Sequence, residues 1–174
     1  MSPKKRPDRL RRQSARGVTL IELMIVVVIF GILSTLALTG YRNLMNQARS
    51  SEAYEILGAI RAAQSGYFQA YGQYCGDAKW ALWPPGDGAN EARLNWEEPD
   101  ILAWQQLGLK PQGPVWFQYR IRASSNPAAA PATVFNPPPA GPWFQAQAIG
   151  HFSNRFYEIT SERAEVYEDR LGAE

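Results

Sequence analysis

Residues 18–38 are apolar or small except for one carboxylate, Glu22. As a helix this run is about 32 Å long, enough to cross a hydrocarbon core of roughly 30 Å. Past Tyr41 the pattern changes. Apolar residues recur at Leu44, Ala48, Ala53, Ile56, Leu57, Ile60, Ala63, Tyr67, Ala70 and Tyr71. Apart from one longer step at Ala53, these spacings fall on one face of a helix. The opposite face carries Arg42, Arg49, Glu52, Glu55, Arg61, Gln64 and Gln69. A half that is apolar all round, followed by a half apolar along one stripe, predicts a membrane-spanning segment (residues 18–40) continued by an amphipathic segment (about 41–74) packed on a soluble domain. Thr39-Gly40 predicts a soft break at the junction, because Gly inside a helix costs about 1 kcal/mol relative to Ala. Gly72 and Gly76-Asp77 mark the exit. The aromatic stripe Tyr67, Phe68, Tyr71 and Tyr74 predicts core rather than a ligand-binding box.

Beyond the helix the chain is punctuated by proline and glycine. Asp100 to Gly108 predicts a short helix, with Asp100 as N-cap and Gly108 as stop. Residues 115–122 alternate, with Val115, Phe117, Tyr119 and Ile121 on one side and Trp116, Gln118, Arg120 and Arg122 on the other, which predicts a half-buried strand. Residues 124–142 hold six prolines and no charge; they predict an exposed, partly extended loop, with disorder as the default for its length. Residues 143–149 predict a second strand with Phe144, Ala146 and Ala148 inward. Residues 154–160 follow as a third strand after a turn near Gly150-His151, and residues 165–168 as a short fourth at the edge. Strands joined by short links are antiparallel. The fold class is α+β: a long N-terminal helix packed on a small antiparallel sheet of three to four strands.

Charge refines the picture at the N-terminus. Lys4, Lys5, Arg6, Arg9, Arg11, Arg12 and Arg16, with one acid at Asp8, precede the apolar run. Basic flanks stay in the cytoplasm, which sends the rest of the chain across the membrane. No small-residue cleavage site of the A-x-A kind follows the run before Tyr41, so it does not read as a secretory signal peptide. After residue 17 the chain holds 11 basic and 15 acidic residues, a balance that argues against general nucleic-acid affinity. Glu22 is the exception inside the apolar run. A carboxylate in a bilayer needs a partner and is a functional hypothesis by default.

The residues Gly17-Val18-Thr19-Leu20-Ile21-Glu22-Leu23-Met24 resemble the type IV prepilin cleavage motif of pilins and pseudopilins, with Val at position 18 where most of that family has Phe. The resemblance implies a basic leader, residues 1–17, removed by a prepilin peptidase after Gly17, and methylation of the new amine of Val18. It implies that Glu22 neutralises the terminal amine of a neighbouring subunit, two groups each costly in lipid becoming tolerable as a pair. It also implies a bacterial inner-membrane location with the N-terminus cytoplasmic, then a periplasmic or extracellular filament. The implied partners are other pilin subunits, the peptidase and an inner-membrane assembly platform. Residues 41–174 would form the outward-facing globular domain. Many type IV pilins close a C-terminal loop with a disulfide, which a single cysteine, Cys75, rules out within this chain; a free, buried thiol is expected.

The function that follows is assembly rather than chemistry: a structural subunit of a type IV pilus-like filament. A minor pilin or secretion pseudopilin is the alternative within the family, and a non-polymerising, membrane-anchored binding domain the alternative outside it. An enzyme is not expected, since His151 is the one histidine and no nucleophile–base pair, metal-ligand cluster or phosphate loop is readable. The acids Asp87, Glu91, Glu97, Glu98 and Asp100 lack the alternating spacing of a calcium loop and read as a solvated surface. No cofactor and no metal site are expected.

Overall fold

The computed structural model describes residues 17–86, 92–97, 99–150, 155–163 and 165–170. The expectations for the leader, for Asp87, Glu91 and Glu98, and for the turn at His151 lie outside these residues. The element order is helix α1 (Leu20–Tyr71), helix α2 (Leu102–Leu107), strand β1 (Gln118–Ser124), a 3-10 turn (Pro127–Ala129), and strands β2 (Trp143–Gly150), β3 (Arg155–Thr160) and β4 (Tyr167–Arg170). The four strands form one antiparallel sheet in the order β1-β2-β3-β4. Two compact units divide the chain, Met1–Asn43 and Leu44–Glu174.

In the first unit the apolar run leaves its large side chains uncovered, from 44% exposure at Val26 to 77% at Leu20. Such a surface needs lipid or other helices around it. It is long and apolar enough to cross a membrane. Its hydroxyls turn inward on the helix: Ser34 Oγ donates to Phe30 O at 2.7 Å and Thr35 Oγ1 to Gly31 O at 2.9 Å, so no side-chain donor there asks for water. The expected break at Thr39-Gly40 does not form. The helix continues through it, and Thr39 Oγ1 donates to Leu36 O. One weak residue does not outweigh helical bonds already propagating on both sides.

In the second unit the amphipathic part of α1 buries Ala53, Leu57 and Ile60 completely, in one core with Phe117, Tyr119, Ile121, Ala146, Ala148, Tyr157 and Ile159 from the inner face of the sheet. Each large apolar side chain taken out of water contributes about 1.5–3 kcal/mol. The predicted stripe is narrower than expected. Leu44, Ala48, Ala70 and Tyr71 are exposed, and Gln64, expected on the polar face, is fully buried. The aromatic stripe is a rim rather than core: Tyr67, Phe68 and Tyr74 are half-buried and Tyr71 exposed. Phe68 stacks on Tyr74 at 4.7 Å, and Tyr74 meets Phe144 at 4.9 Å. Gly72, at φ 69°, ends the helix in the left-handed conformation.

Several boundaries shift for identifiable reasons. In α2, Ile101 rather than Asp100 is the N-cap, without a side-chain cap bond, whereas Gly108 does terminate the helix in the left-handed region. β1 starts late because Val115 exchanges backbone bonds with Leu94 and Trp116 N donates to Glu52 Oε1 at 2.6 Å; pairing with β2 begins only at Gln118↔Ile149. Val115, Phe117, Tyr119 and Ile121 are buried as predicted, but Gln118 is buried too, donating from Nε2 to Pro84 O at 2.8 Å. β4 starts two residues later than expected. The proline loop is ordered and partly buried. Asn126 Oδ1 caps the 3-10 turn, and Phe135 packs edge-on against Trp143 at 5.3 Å. Trp143 Nε1 donates back to Asn126 O. One large aromatic residue supplies enough burial to fold the loop against the outer side of β2.

Candidate functional site at the start of the apolar helix

Gly17 and Val18 precede α1 in irregular, exposed backbone, Val18 with 73% of its surface open and Gly17 with nothing within 4 Å of where a Cβ would stand. The peptide bond between them is therefore open to an approaching enzyme. Thr19 is the residue before the helix and Glu22 lies in its first turn. The two residues face each other. Glu22 Oε2 accepts from Thr19 N and from Thr19 Oγ1, and Glu22 N donates to Thr19 Oγ1, all at 3.3 Å. This is a capping box, in which a Thr and a Glu three residues on satisfy each other's free backbone N–H groups. The carboxylate also sits at the positive end of the helix dipole. Glu22 is thus held in the first turn by its own chain while remaining exposed. The structure brings Val18 and Glu22 within one helical turn of sequence at the same helix end. Thr19 was missed in the sequence, although the T-x-x-E spacing signals it.

The polar groups of the second unit act as ties. Ser50 Oγ and Tyr157 OH share a 2.6 Å hydrogen bond, and Tyr54 packs edge-on against Tyr157 at 5.3 Å. Tyr54 OH donates to Glu168 Oε2 at 3.3 Å, and Arg155 Nη1 to Glu168 Oε1 at 2.5 Å. Burial, then the Glu168 charge, push the Tyr54 phenol up. The Arg155–Glu168 pair is well exposed at both ends, so it contributes at most about 1 kcal/mol. Burial raises the Glu52 carboxyl above its ordinary range despite its bond from Trp116 N. Burial and the neighbouring acids push Tyr119 well up. Ser50 has a phenol and the Asn46 carbonyl beside it, neither of them a base for nucleophilic chemistry.

Comparison with known proteins agrees with this placement. Residues 12–38 match the family model described as the prokaryotic N-terminal methylation motif. Fimbrial protein EcpC of Eikenella corrodens is 39% identical over 66 residues, which are 38% of this chain and 43% of that protein. Type IV major pilin protein PilA of Myxococcus xanthus is 42% identical over 59 residues, 34% of this chain and 27% of PilA. A type IV major pilin protein PilE1 of Neisseria gonorrhoeae is 35% identical over 77 residues, 44% of this chain and 32% of that protein. The chain spans less than half the length of each of these curated relatives. No solved structure matches the chain.

Proposed function

We infer that this chain, which belongs to the type IV pilin family by its N-terminal segment and its helix-on-sheet fold, is a structural subunit of a type IV pilus-like filament. The observation that carries the reading is the placement of Glu22, an exposed carboxylate in the first turn of an otherwise apolar helix, four residues from Val18. Residues 18–40 hold the subunit in the inner membrane, the basic leader on the cytoplasmic side, until a prepilin peptidase cuts between Gly17 and Val18. The new Val18 amine is then methylated. In the filament the apolar helices replace lipid with one another, and Glu22 accepts the amine of a neighbouring subunit. That pairing removes two isolated charges from an apolar core and sets the register between subunits. Thr19 keeps the carboxylate in place before a partner arrives. An assembly platform extracts the subunit, and residues 41–174 face outward.

Intact mass spectrometry of a sheared surface fraction tests this, beside a Glu22→Ala variant. The expected result is a mass for residues 18–174 plus one methyl group, abundant in the fraction and lost from it in the variant. A processed mass confined to membranes assigns the chain to a scarce minor pilin or pseudopilin. An uncut full-length mass in both samples overturns the reading in favour of an anchored, non-polymerising domain.

A further inference from the structure

We propose that Arg120, Arg122 and Trp80, on the side of the sheet turned away from α1, form a binding site for a carboxylated saccharide. The site does not depend on the filament reading. Both guanidinium groups lie against the indole, with their central carbons 4.6 Å (Arg120) and 4.4 Å (Arg122) from the ring centroid. Trp80 holds this position from a backbone φ of 53°, the left-handed region that a bulky side chain adopts only when its surroundings impose it. The surroundings do so. Asp77 accepts from Lys79 N and Ala81 N through its carboxylate and from Trp80 N through its carbonyl. Its own N–H is anchored on Ile121 O of β1. Gly76 lies so close to that strand that a Cβ would stand 2.2 Å from Ala123 N.

The arginines are held from beneath as well. Arg120 Nε and Nη2 donate to Gln147 Oε1, and Arg122 Nε donates to Gln145 Oε1. The amides of both glutamines then converge on Glu158 Oε2, at 2.5 and 2.6 Å, with Glu158 only 4% exposed. The one acid of this cross-strand network is spent on amides rather than on the guanidinium groups. Arg120 Nη1, both Nη atoms of Arg122 and Trp80 Nε1 have no acceptor among the described residues, and none of these atoms is closed off from solvent. Burial lowers both arginine pKa values, and the charge of Arg122 adds to the effect at Arg120. Two partly desolvated cations side by side, with donors left over, form a receptor that lacks its anion. A planar carboxylate fits the guanidinium fork in two bonds. The half-buried indole supplies an apolar surface and an N–H for a sugar ring and its hydroxyls. Nucleic acid fits less well, because it needs a longer row of cations than this.

The test is isothermal titration of the full-length protein in detergent with a glucuronic-acid oligosaccharide, a glucose oligosaccharide of equal length, inorganic sulfate and a single-stranded oligonucleotide. The acidic saccharide is expected to bind saturably and the neutral one not at all. Arg120→Gln and Arg122→Gln should each weaken binding at least tenfold with unchanged circular dichroism and melting. Arg122→Lys, which keeps the charge but not the fork, should also weaken it, and Lys110→Gln should leave it unchanged. Absence of saturation, equal binding of the neutral sugar, or affinity indifferent to both Arg→Gln variants overturns the site. Sulfate bound as tightly as the uronate, or an oligonucleotide bound through these arginines in its place, overturns the saccharide assignment.

Discussion

Gln64 and Cys75 pair as two peptide groups would: Gln64 Nε2 donates to Cys75 O at 2.5 Å, and Gln64 Oε1 accepts from Cys75 N at 3.0 Å. Both residues are buried. The last turns of α1 are thereby tied to the segment that leaves it, at a place where the chain has no regular partner for its backbone. Replacing Gln64 by Leu keeps the volume but leaves a buried N–H and a buried C=O without partners. At about 1–3 kcal/mol for each stranded group, the expected loss is about 2–4 kcal/mol. Urea unfolding of the detergent-solubilised protein, followed by tryptophan fluorescence, measures it; an unchanged midpoint would show that the pair contributes nothing.

Cys75 itself should be chemically quiet. Its Sγ lies 3.1 Å from Gln106 Oε1 and 3.7 Å from Ala103 O, the residue is 4% exposed, and burial raises the thiol pKa. The thiolate is the reactive species. Reaction with a disulfide reagent at pH 8 is therefore expected to be slow in the native protein and complete after denaturation, and non-reducing gels should show no covalent dimer. Rapid native labelling would contradict this placement.

Gly76→Ala probes how closely the exit segment meets the sheet. The added Cβ would stand 2.2 Å from Ala123 N and 2.9 Å from Ala123 Cβ. Backbone cannot swing aside as a side-chain end can, so the segment carrying Asp77 and Trp80 must lift. A loss of at least about 1–3 kcal/mol is expected, read as a lower melting temperature. Wild-type melting would mean that the contact is loose.

The large features were legible because they rest on long, regular patterns. The apolar run, the inward alternation of Phe117, Tyr119 and Ile121, and the stop at Gly108 each follow from local chemistry. What escaped depends on partners distant in sequence. Gln64 reads as a surface residue on any helical wheel, because Cys75, eleven residues later, is what satisfies it. The start of β1 is set by Leu94 and Glu52 bonding to residues 115 and 116, not by the alternation itself. The order of the proline loop turns on one contact, Phe135 against Trp143. At the helix start the failure was different: Thr19 and Glu22 stand at capping-box spacing, but the functional reading of Glu22 drew attention away from its local role.

Glu52 makes a prediction whose sign separates two opposing effects. Its carboxylate accepts from Trp116 N, which favours the charged form, while burial disfavours it and dominates, so the folded-state pKa lies above the ordinary value of 4.5. Between the unfolded pKa and the raised folded one, the native state binds more protons than the unfolded state, and stability falls as pH rises. The contribution is fully present below about 4.5 and has been lost once the pH exceeds the folded value. Glu52→Gln keeps an oxygen to accept from Trp116 N and removes the buried charge. The variant is expected to match the wild type at acid pH, to exceed it modestly at pH 7, and to lack this component of the pH dependence. Urea midpoints for both proteins from pH 4 to 8 decide it. If Glu52→Gln instead loses stability at pH 7, the charge-assisted bond to Trp116 outweighs desolvation, and the pKa of Glu52 is lowered rather than raised.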